Sequence, residues 1–358
     1  MAEYDRKLVL ENGDEYLGRA FGGPAGGAVS ELVFNTSMAG YQEIVSDPSY
    51  TNQTVVMTYP LIGSYGIAED DFESCVPSLA GLAVREYNDL PSNFRYTRTL
   101  AEVLEEYRVP GISGIDTRRL TRTLRDMGTQ RALIVDAAMP KAEALALIAG
   151  APVQRGAVAS ASCKKRWYSR TANPVFNVAA VDCGIKRSII RSLNQRGCNV
   201  TVVPWNTDAG AILAMRPDGV LFSDGPGDPG EVPEVVETVR ALRGRLPLMG
   251  VCLGHQVICR AYGADTYKLK FGHRGSNHPV RNLKTDRIEI TAQNHGYAVD
   301  EASLRATPLT LTHRNLLDNT VEGAECAAER VFCAQFHPEG ASGLLEAFVE
   351  AMRDFKAR

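Results

Sequence analysis

From Asn177 onward the sequence repeats one theme, an apolar run of strand length, then turn residues, then an amphipathic segment, and this alternation restricts the fold more than any other feature. The runs at 178–181, 199–203, 219–222 and 246–251 are apolar runs of strand length, as strands covered on both faces are. Between them, Ile189, Ile190 and Leu193 mark a helix stopping near Gly197, and Val236, Val239 and Leu242 mark another stopping near Gly244. The pattern predicts an α/β domain built on a doubly wound, mainly parallel sheet. Past Gly263 the sequence is strand-rich through Phe336, and Leu345, Phe348, Met352 and Phe355 predict a closing helix.

With 358 residues the chain exceeds what one hydrophobic core usually serves, so a second domain is expected. Residues 1–150 read differently from the rest. Gly and Pro interrupt them often, and strand-like pieces such as Lys7 to Leu10 and Gly81 to Val84 predominate. Later, Leu120, Leu124 and Met127 mark a helix ending at Gly128, and Leu145 and Ile148 mark one running to Gly150. This predicts a β-rich α+β amino-terminal domain. Residues 151–175 are rich in Ala, Ser, Gly and basic side chains with little periodicity, and are expected to link it to the α/β domain at 176–358.

No charged-then-apolar leader opens the chain and no long uncharged apolar run follows, so neither a signal peptide nor a membrane span is expected and the protein reads as cytoplasmic. Lys and Arg total 39 against 42 acidic residues, and no basic stripe interleaves with aromatics, so no nucleic-acid partner is expected. The eight cysteines lie mostly among apolar neighbours without a C-x-x-C pair, which argues against zinc clusters and disulfide frameworks; no metal site is expected. Most of them read as small core residues.

One cysteine needs another explanation. Leu246-Pro-Leu-Met-Gly-Val-Cys252-Leu-Gly-His-Gln256 sets it between an apolar strand and a helix, with Gly250 and Gly254 two residues to either side. This has the form of a nucleophile elbow with sulfur in place of oxygen. A sharp strand-to-helix turn crowds neighbouring backbone, which accounts for the glycines. The helix start favours a thiolate, and the Leu253 N–H is placed to support an oxyanion beside the sulfur. The blander alternative is a buried core cysteine in a strand–helix turn.

A cysteine nucleophile needs a base, and among six histidines His337 is best supplied with an orienting carboxylate, Glu339, two residues on. Gln335-Phe-His337-Pro-Glu339 ends an apolar strand, Pro338 holds the residue before it extended, and alternate residues of an extended segment point the same way. His255, three residues along the helix from Cys252, should be carried away from the sulfur. His295, in Gln293-Asn-His-Gly296, stays a second candidate on spacing alone. Ser223-Asp-Gly225-Pro-Gly227-Asp-Pro229 follows another strand and should lie at the carboxyl edge of the same sheet, where open α/β proteins bind ligands. It lacks the lysine and hydroxyl of a P-loop, and no ATP-phosphate site is evident in the chain.

Together these pieces resemble the class I, triad-type glutamine amidotransferases, whose elbow reads G-x-C-x-G-H-Q and whose base segment reads H-P-E. Phe34-Asn-Thr-Ser-Met-Ala-Gly-Tyr-Gln-Glu43, Asp47-Pro-Ser49-Tyr50, Ile115-Asp-Thr-Arg-Arg-Leu-Thr121, Phe271-Gly-His, Asn277-His-Pro and Gln293-Asn-His-Gly296 narrow the resemblance to carbamoyl-phosphate synthetase small chains, over most of the sequence. The resemblance implies that Cys252 attacks the side-chain amide of glutamine, that His337 accepts the thiol proton and then protonates ammonia, and that Glu339 orients the imidazole. A γ-glutamyl thioester follows and is hydrolysed, with the N–H groups of Leu253 and Gly227 as oxyanion hole. Carried over position by position, the glutamine site comprises Ser49, Gly225, Gly227, Leu253, Gln256, Asn294, Gly296 and Tyr297. The implied partner is a large synthetase subunit carrying ATP and magnesium, with no cofactor in this chain. The product would serve arginine synthesis, pyrimidine synthesis or both.

Three departures are visible: Asp224 where Asn is common, Arg274-Gly-Ser276 where two glycines often occur, and Tyr297 where Phe is common. The rival readings are the glutaminase part of another synthetase, a free-standing cysteine hydrolase, and a non-catalytic glutamine sensor. The first group lacks this amino-terminal domain, the second would need no partner, and the intact triad argues against the third.

Overall fold

The computed structural model describes residues 4–338 and 343–357. It divides into two compact units, Met1–Arg155 and Gly156–Arg358. No described helix is long and apolar enough to cross a membrane.

The first unit holds strands β1 (Arg6–Leu10), β2 (Glu15–Gly22), β3 (Ser30–Asn35), β4 (Gln53–Met57), β5 (Leu61–Ile62), β6 (Gly81–Ala83), β7 (Glu86–Tyr87), β8 (Pro110–Ser113) and β9 (Gln130–Asp136), with helices α1 (Tyr41–Ser46), α2 (Leu100–Glu106), α3 (Thr117–Met127) and α4 (Lys141–Gly150). A closed barrel forms in the order β1-β2-β8-β6-β4-β3-β9, and β9 returns to β1 with Arg6 opposite Asp136. Short β5 and β7 pair separately. Local chemistry sets the helix ends. Thr99 and Glu102 form a reciprocal capping box at the start of α2, and Gly128, at φ 95°, stops α3. Val33, Tyr41, Val55, Met57, Leu82 and Leu100 pack into one of its apolar cores. The β-rich α+β expectation for this region holds.

The second unit runs α5 (Ala157–Ala161), β10 (Trp167–Ser169), β11 (Phe176–Asp182), α6 (Arg187–Gln195), β12 (Cys198–Pro204), α7 (Ala209–Ala214), β13 (Gly219–Phe222), α8 (Pro233–Leu242), β14 (Leu248–Val251), α9 (Leu253–Ala261), β15 (Thr266–Asn282), β16 (Arg287–Val299), α10 (Glu301–Leu304), β17 (Thr310–Asn315), β18 (Val321–Cys326), β19 (Val331–Ala334) and α11 (Leu344–Lys356). Its ten-stranded sheet has the order β10-β12-β11-β13-β14-β19-β18-β17-β15-β16. Strands β12, β11, β13, β14 and β19 are parallel, and the remainder join antiparallel.

Burial explains the uninterrupted apolar runs. Along β11, β13 and β14 the side chains alternate between two cores: Ala179, Val181, Val220, Phe222 and Leu248 face α8 and α9, while Val178, Ala180, Leu221, Met249 and Val251 face α6 and α11. Because both faces are covered, no polar alternation survives in the sequence. The doubly wound parallel core is as expected, while the sheet as a whole is mixed, because the strand-rich segment after Gly263 extends it antiparallel. Residues 156–175 differ from a plain linker. They carry α5 and β10, and β10 pairs with β12, Trp167 opposite Val202. A three-residue strand is too short to display a period.

Phe348, fully buried between α11 and the sheet, fixes one of these layers. Phe348→Ala should lower unfolding free energy by about 3–5 kcal/mol. Phe94→Ala, at a position 95% exposed, should stay within roughly 0.5 kcal/mol of wild type. Urea denaturation followed by circular dichroism measures both.

Candidate active site

Cys252 stands between the last residue of β14 and the first of α9, with φ 53° and ψ −104°. A non-glycine residue held at positive φ costs about 1–3 kcal/mol and persists only where its surroundings over-determine it. Here they do. A Cβ on Gly250 would lie 2.5 Å from the Gly254 carbonyl oxygen, and a Cβ on Gly254 would lie 1.9 Å from that of Phe222. Neither position admits a side chain, so the elbow's two glycines are required by close backbone approach. The Cys252 N–H donates to Ala334 O at 2.8 Å and the Gly254 N–H to Ser223 O at 3.0 Å, tying the turn to both neighbouring strands.

The sulfur is almost wholly buried. Its thiol lies 3.5 Å from the Asn294 carbonyl, and Gln335 donates an Nε2–H to it at 3.6 Å. His337 leaves the same edge. Strand β19 pairs parallel with β14 up to Val251 opposite Ala334, so Cys252 and His337 follow adjacent strand ends. The buried His337 forms a bridge to Ala292, donating its N–H to Ala292 O at 3.0 Å. Glu339 lies outside the described residues.

The other two histidines considered as bases are engaged elsewhere. His255 sits 3.0 Å from Cys333 Sγ through Nδ1, with Cys259 Sγ 3.8 Å away, and Cys333 belongs to the core on the opposite face from Cys252. His295 turns Nδ1 to Tyr297 O at 2.8 Å and Nε2 to Gln293 Oε1 at 3.1 Å. Burial, and then the neighbouring His273, hold its pKa well below the usual histidine value.

Of the expected glutamine-binding residues, Gly225 and Gly227 lie in the loop after β13, Leu253 and Gln256 on α9, and Asn294, Gly296 and Tyr297 on β16. A Cβ on Gly225 would fall 2.3 Å from Cys183 O, so that loop lies directly on backbone. Gln256 donates from Nε2 to Tyr297 O at 2.8 Å and to Gln335 Oε1 at 2.9 Å, joining the helix to β16 and to the segment after β19. Ser49 is buried in a turn of the first unit, where its N–H donates to Asp47 Oδ1 at 2.8 Å. Among the departures, Asp224 is fully buried and accepts the Lys186 N–H at 3.4 Å, and buried Arg274 donates to Phe271 O at 2.7 Å. Gln335 was not singled out from sequence. The available signal was a polar residue in an otherwise apolar strand end.

Residues 179–352 match the family model described as glutamine amidotransferase class-I, and residues 8–134 match that described as carbamoyl-phosphate synthase small chain, CPSase domain. The carbamoyl phosphate synthase small chain of Staphylococcus saprophyticus is 46% identical, covering 99% of this chain and 97% of its own. That of Listeria innocua is 48% identical, covering 97% of this chain and 96% of its own. The strained cysteine elbow therefore sits in a matched amidotransferase domain, and the barrel-bearing unit matches the small-chain domain: the chain belongs to the carbamoyl-phosphate synthase small-chain family.

Proposed function

We propose that the chain is the glutaminase subunit of a glutamine-hydrolysing carbamoyl-phosphate synthase, with Cys252 as nucleophile, His337 as general acid–base and Glu339 as its orienting carboxylate. The observation that carries this reading is the forced positive φ of Cys252 at the carboxyl edge of β14, beside the strand end that leads to His337. Cys252 Sγ attacks the side-chain carbonyl carbon of glutamine while His337 takes the thiol proton. The C–N bond then breaks, and His337 returns the proton to the departing ammonia. The resulting γ-glutamyl thioester is hydrolysed by water, which regenerates the thiol and releases glutamate.

The oxyanion is stabilised by the N–H groups of Leu253, at the start of α9, and of Gly227, whose φ of 88° frees its amide direction from ordinary side-chain limits. Ser49, Gly225, Gln256, Asn294, Gly296 and Tyr297 complete the glutamine site. Ammonia passes to a large synthetase subunit that binds ATP and magnesium and makes carbamoyl phosphate from bicarbonate. The amino-terminal unit supplies much of the interface with that subunit, and the product feeds arginine synthesis, pyrimidine synthesis or both in the cytoplasm.

In the reconstituted complex, Cys252→Ala should abolish glutamine-dependent synthesis and leave ammonia-dependent synthesis intact; persistence of glutamine hydrolysis would overturn the assignment. His337→Asn should slow glutamine hydrolysis by at least ~10²-fold, the low end for general acid–base catalysis. A larger loss from His295→Asn would move the base to that residue. A pull-down with the large subunit, paired with glutaminase assays with and without it, should find a stable complex and faster hydrolysis in it. Full turnover by the chain alone, with no complex, would favour a free-standing hydrolase.

A further inference from the structure

Phe271-Gly-His273 has no part in the chemistry above, yet its histidine lies at the head of a buried polar chain that ends on the catalytic sulfur. His273 Nε2 meets Asp318 Oδ2 at 2.9 Å and Nδ1 meets Glu322 Oε1 at 3.6 Å. The other oxygen of Glu322 accepts Gln293 Nε2 at 3.1 Å, and Gln293 Oε1 faces His295 Nε2 at 3.1 Å. His295 Nδ1 faces Tyr297 O, which also accepts Gln256 Nε2; Gln256 reaches Gln335 Oε1, and Gln335 Nε2 reaches Cys252 Sγ. The rings of His273 and His295 also meet edge to face, centroids 4.8 Å apart.

Glu322 is the expensive member. It is completely buried, and a carboxylate out of water needs a counter-charge as well as hydrogen bonds. Asn315 Nδ2 supplies one hydrogen bond at 3.0 Å and Gln293 another. Among the described residues, the cationic partner in contact with it is His273. Asp318, partly exposed, lies on the ring's other side and connects the cluster to solvent. Of the other charged or titratable groups nearby, His278, 5.4 Å away between ring centroids, and His295 both have their pKa lowered by burial and then by His273, and Arg274 lowers that of His295 further. Burial lowers the pKa of His273 itself, but Asp318 and Glu322 outweigh it and hold it at about 9.

We propose that His273 is a positioning residue for the glutaminase reaction: clamped between Asp318 and Glu322, it fixes Gln293 and His295, and through them the Asn294–Tyr297 segment against which Cys252 and glutamine are set. This rests on the glutaminase reading, because it assigns that segment to the substrate site. The brace acts at a distance, so its loss is felt first as weaker glutamine binding. The sign with pH follows from the raised pKa. The charged clamp is complete below the ordinary histidine value near 6.5 and is lost as pH rises through about 9.

The test uses the full chain with its synthetase partner, comparing wild type, His273→Asn and the near-isosteric Glu322→Gln. His273→Asn should raise KM for glutamine on the order of 10-fold with a smaller change in kcat. Glu322→Gln removes one of the two carboxylates, so the alkaline fall in kcat/KM should move to lower pH. The α-amino group of glutamine titrates in the same range but is common to all variants, so the displacement between them is the readout. Thermal stability measured against pH, without substrate, should lose its decline between about 6.5 and 9 in His273→Asn. Unchanged KM and an unmoved alkaline limb in both variants, or a fall in kcat alone, would overturn the inference. Wild type and Cys252→Ala run alongside separate the two claims: no glutaminase activity in wild type defeats the glutaminase reading, and activity surviving in Cys252→Ala defeats Cys252 as its nucleophile, whatever the His273 variants do.

Discussion

The second unit depends on the parallel pairing of β14 between β13 and β19. That register sets Phe222 opposite Gly250 and Val251 opposite Ala334, so three strands end together and the chain must turn sharply into α9. The turn has almost no room, with the Phe222 carbonyl lying against the α-carbon of Gly254. Cys252 is left as the residue that absorbs the angle. The strain at its backbone, about 1–3 kcal/mol, is of the same order as the net worth of the two hydrogen bonds from Cys252 and Gly254 to adjacent strands, about 0.5–1.5 kcal/mol each. A residue with a strained backbone is thus held at an apolar sheet edge at little net cost. It is also held rigidly, since relaxing it requires breaking contacts with both neighbouring strands.

The antiparallel extension of the same sheet brings in the second half of the site. Strand β18 pairs with β19, and β15 reaches β16 by a long hairpin, so residues far apart in sequence surround one edge. Ala292 bridges His337, the Asn294 carbonyl reaches Cys252, and Gln256 joins α9 to both. The sheet therefore has two jobs, with its parallel half forming the elbow and its antiparallel half presenting polar groups to it.

Legibility in the sequence followed the range of the interaction. The parallel strands were readable because burial on both faces leaves a continuous apolar run, and α3 and α8 because their apolar spacing ends at Gly128 and Gly244. Gly250, Cys252 and Gly254 were readable because the constraint spans five residues. Closure of the barrel was not, since β1 and β9 meet from opposite ends of their unit and neither carries a mark of its partner. Strand β10 was missed in an expected linker because three residues show no period. His337 was preferred in sequence for its neighbour Glu339, but spacing alone left His295 as a second candidate, and what tells against it is tertiary: His295 has both ring nitrogens turned to Tyr297 and Gln293. The same holds for Gln335, which becomes meaningful only once folding sets it against a sulfur 83 positions away.

The barrel of the first unit imposes an order on synthesis. Its seam joins the first strand to the last, Arg6 opposite Asp136, while β3 pairs with β9 on the other flank. Until β9 has left the ribosome, β1 and β3 both present open backbone donors and acceptors, so the unit exists as an unsealed sheet for most of its translation. Sealing also requires a contact of very high sequence separation, which makes it a slow step compared with forming the capped helices. A nascent chain stalled with Gln130–Asp136 still inside the ribosome should be the species most dependent on chaperones, and one stalled after Asp136 has emerged should already be protected.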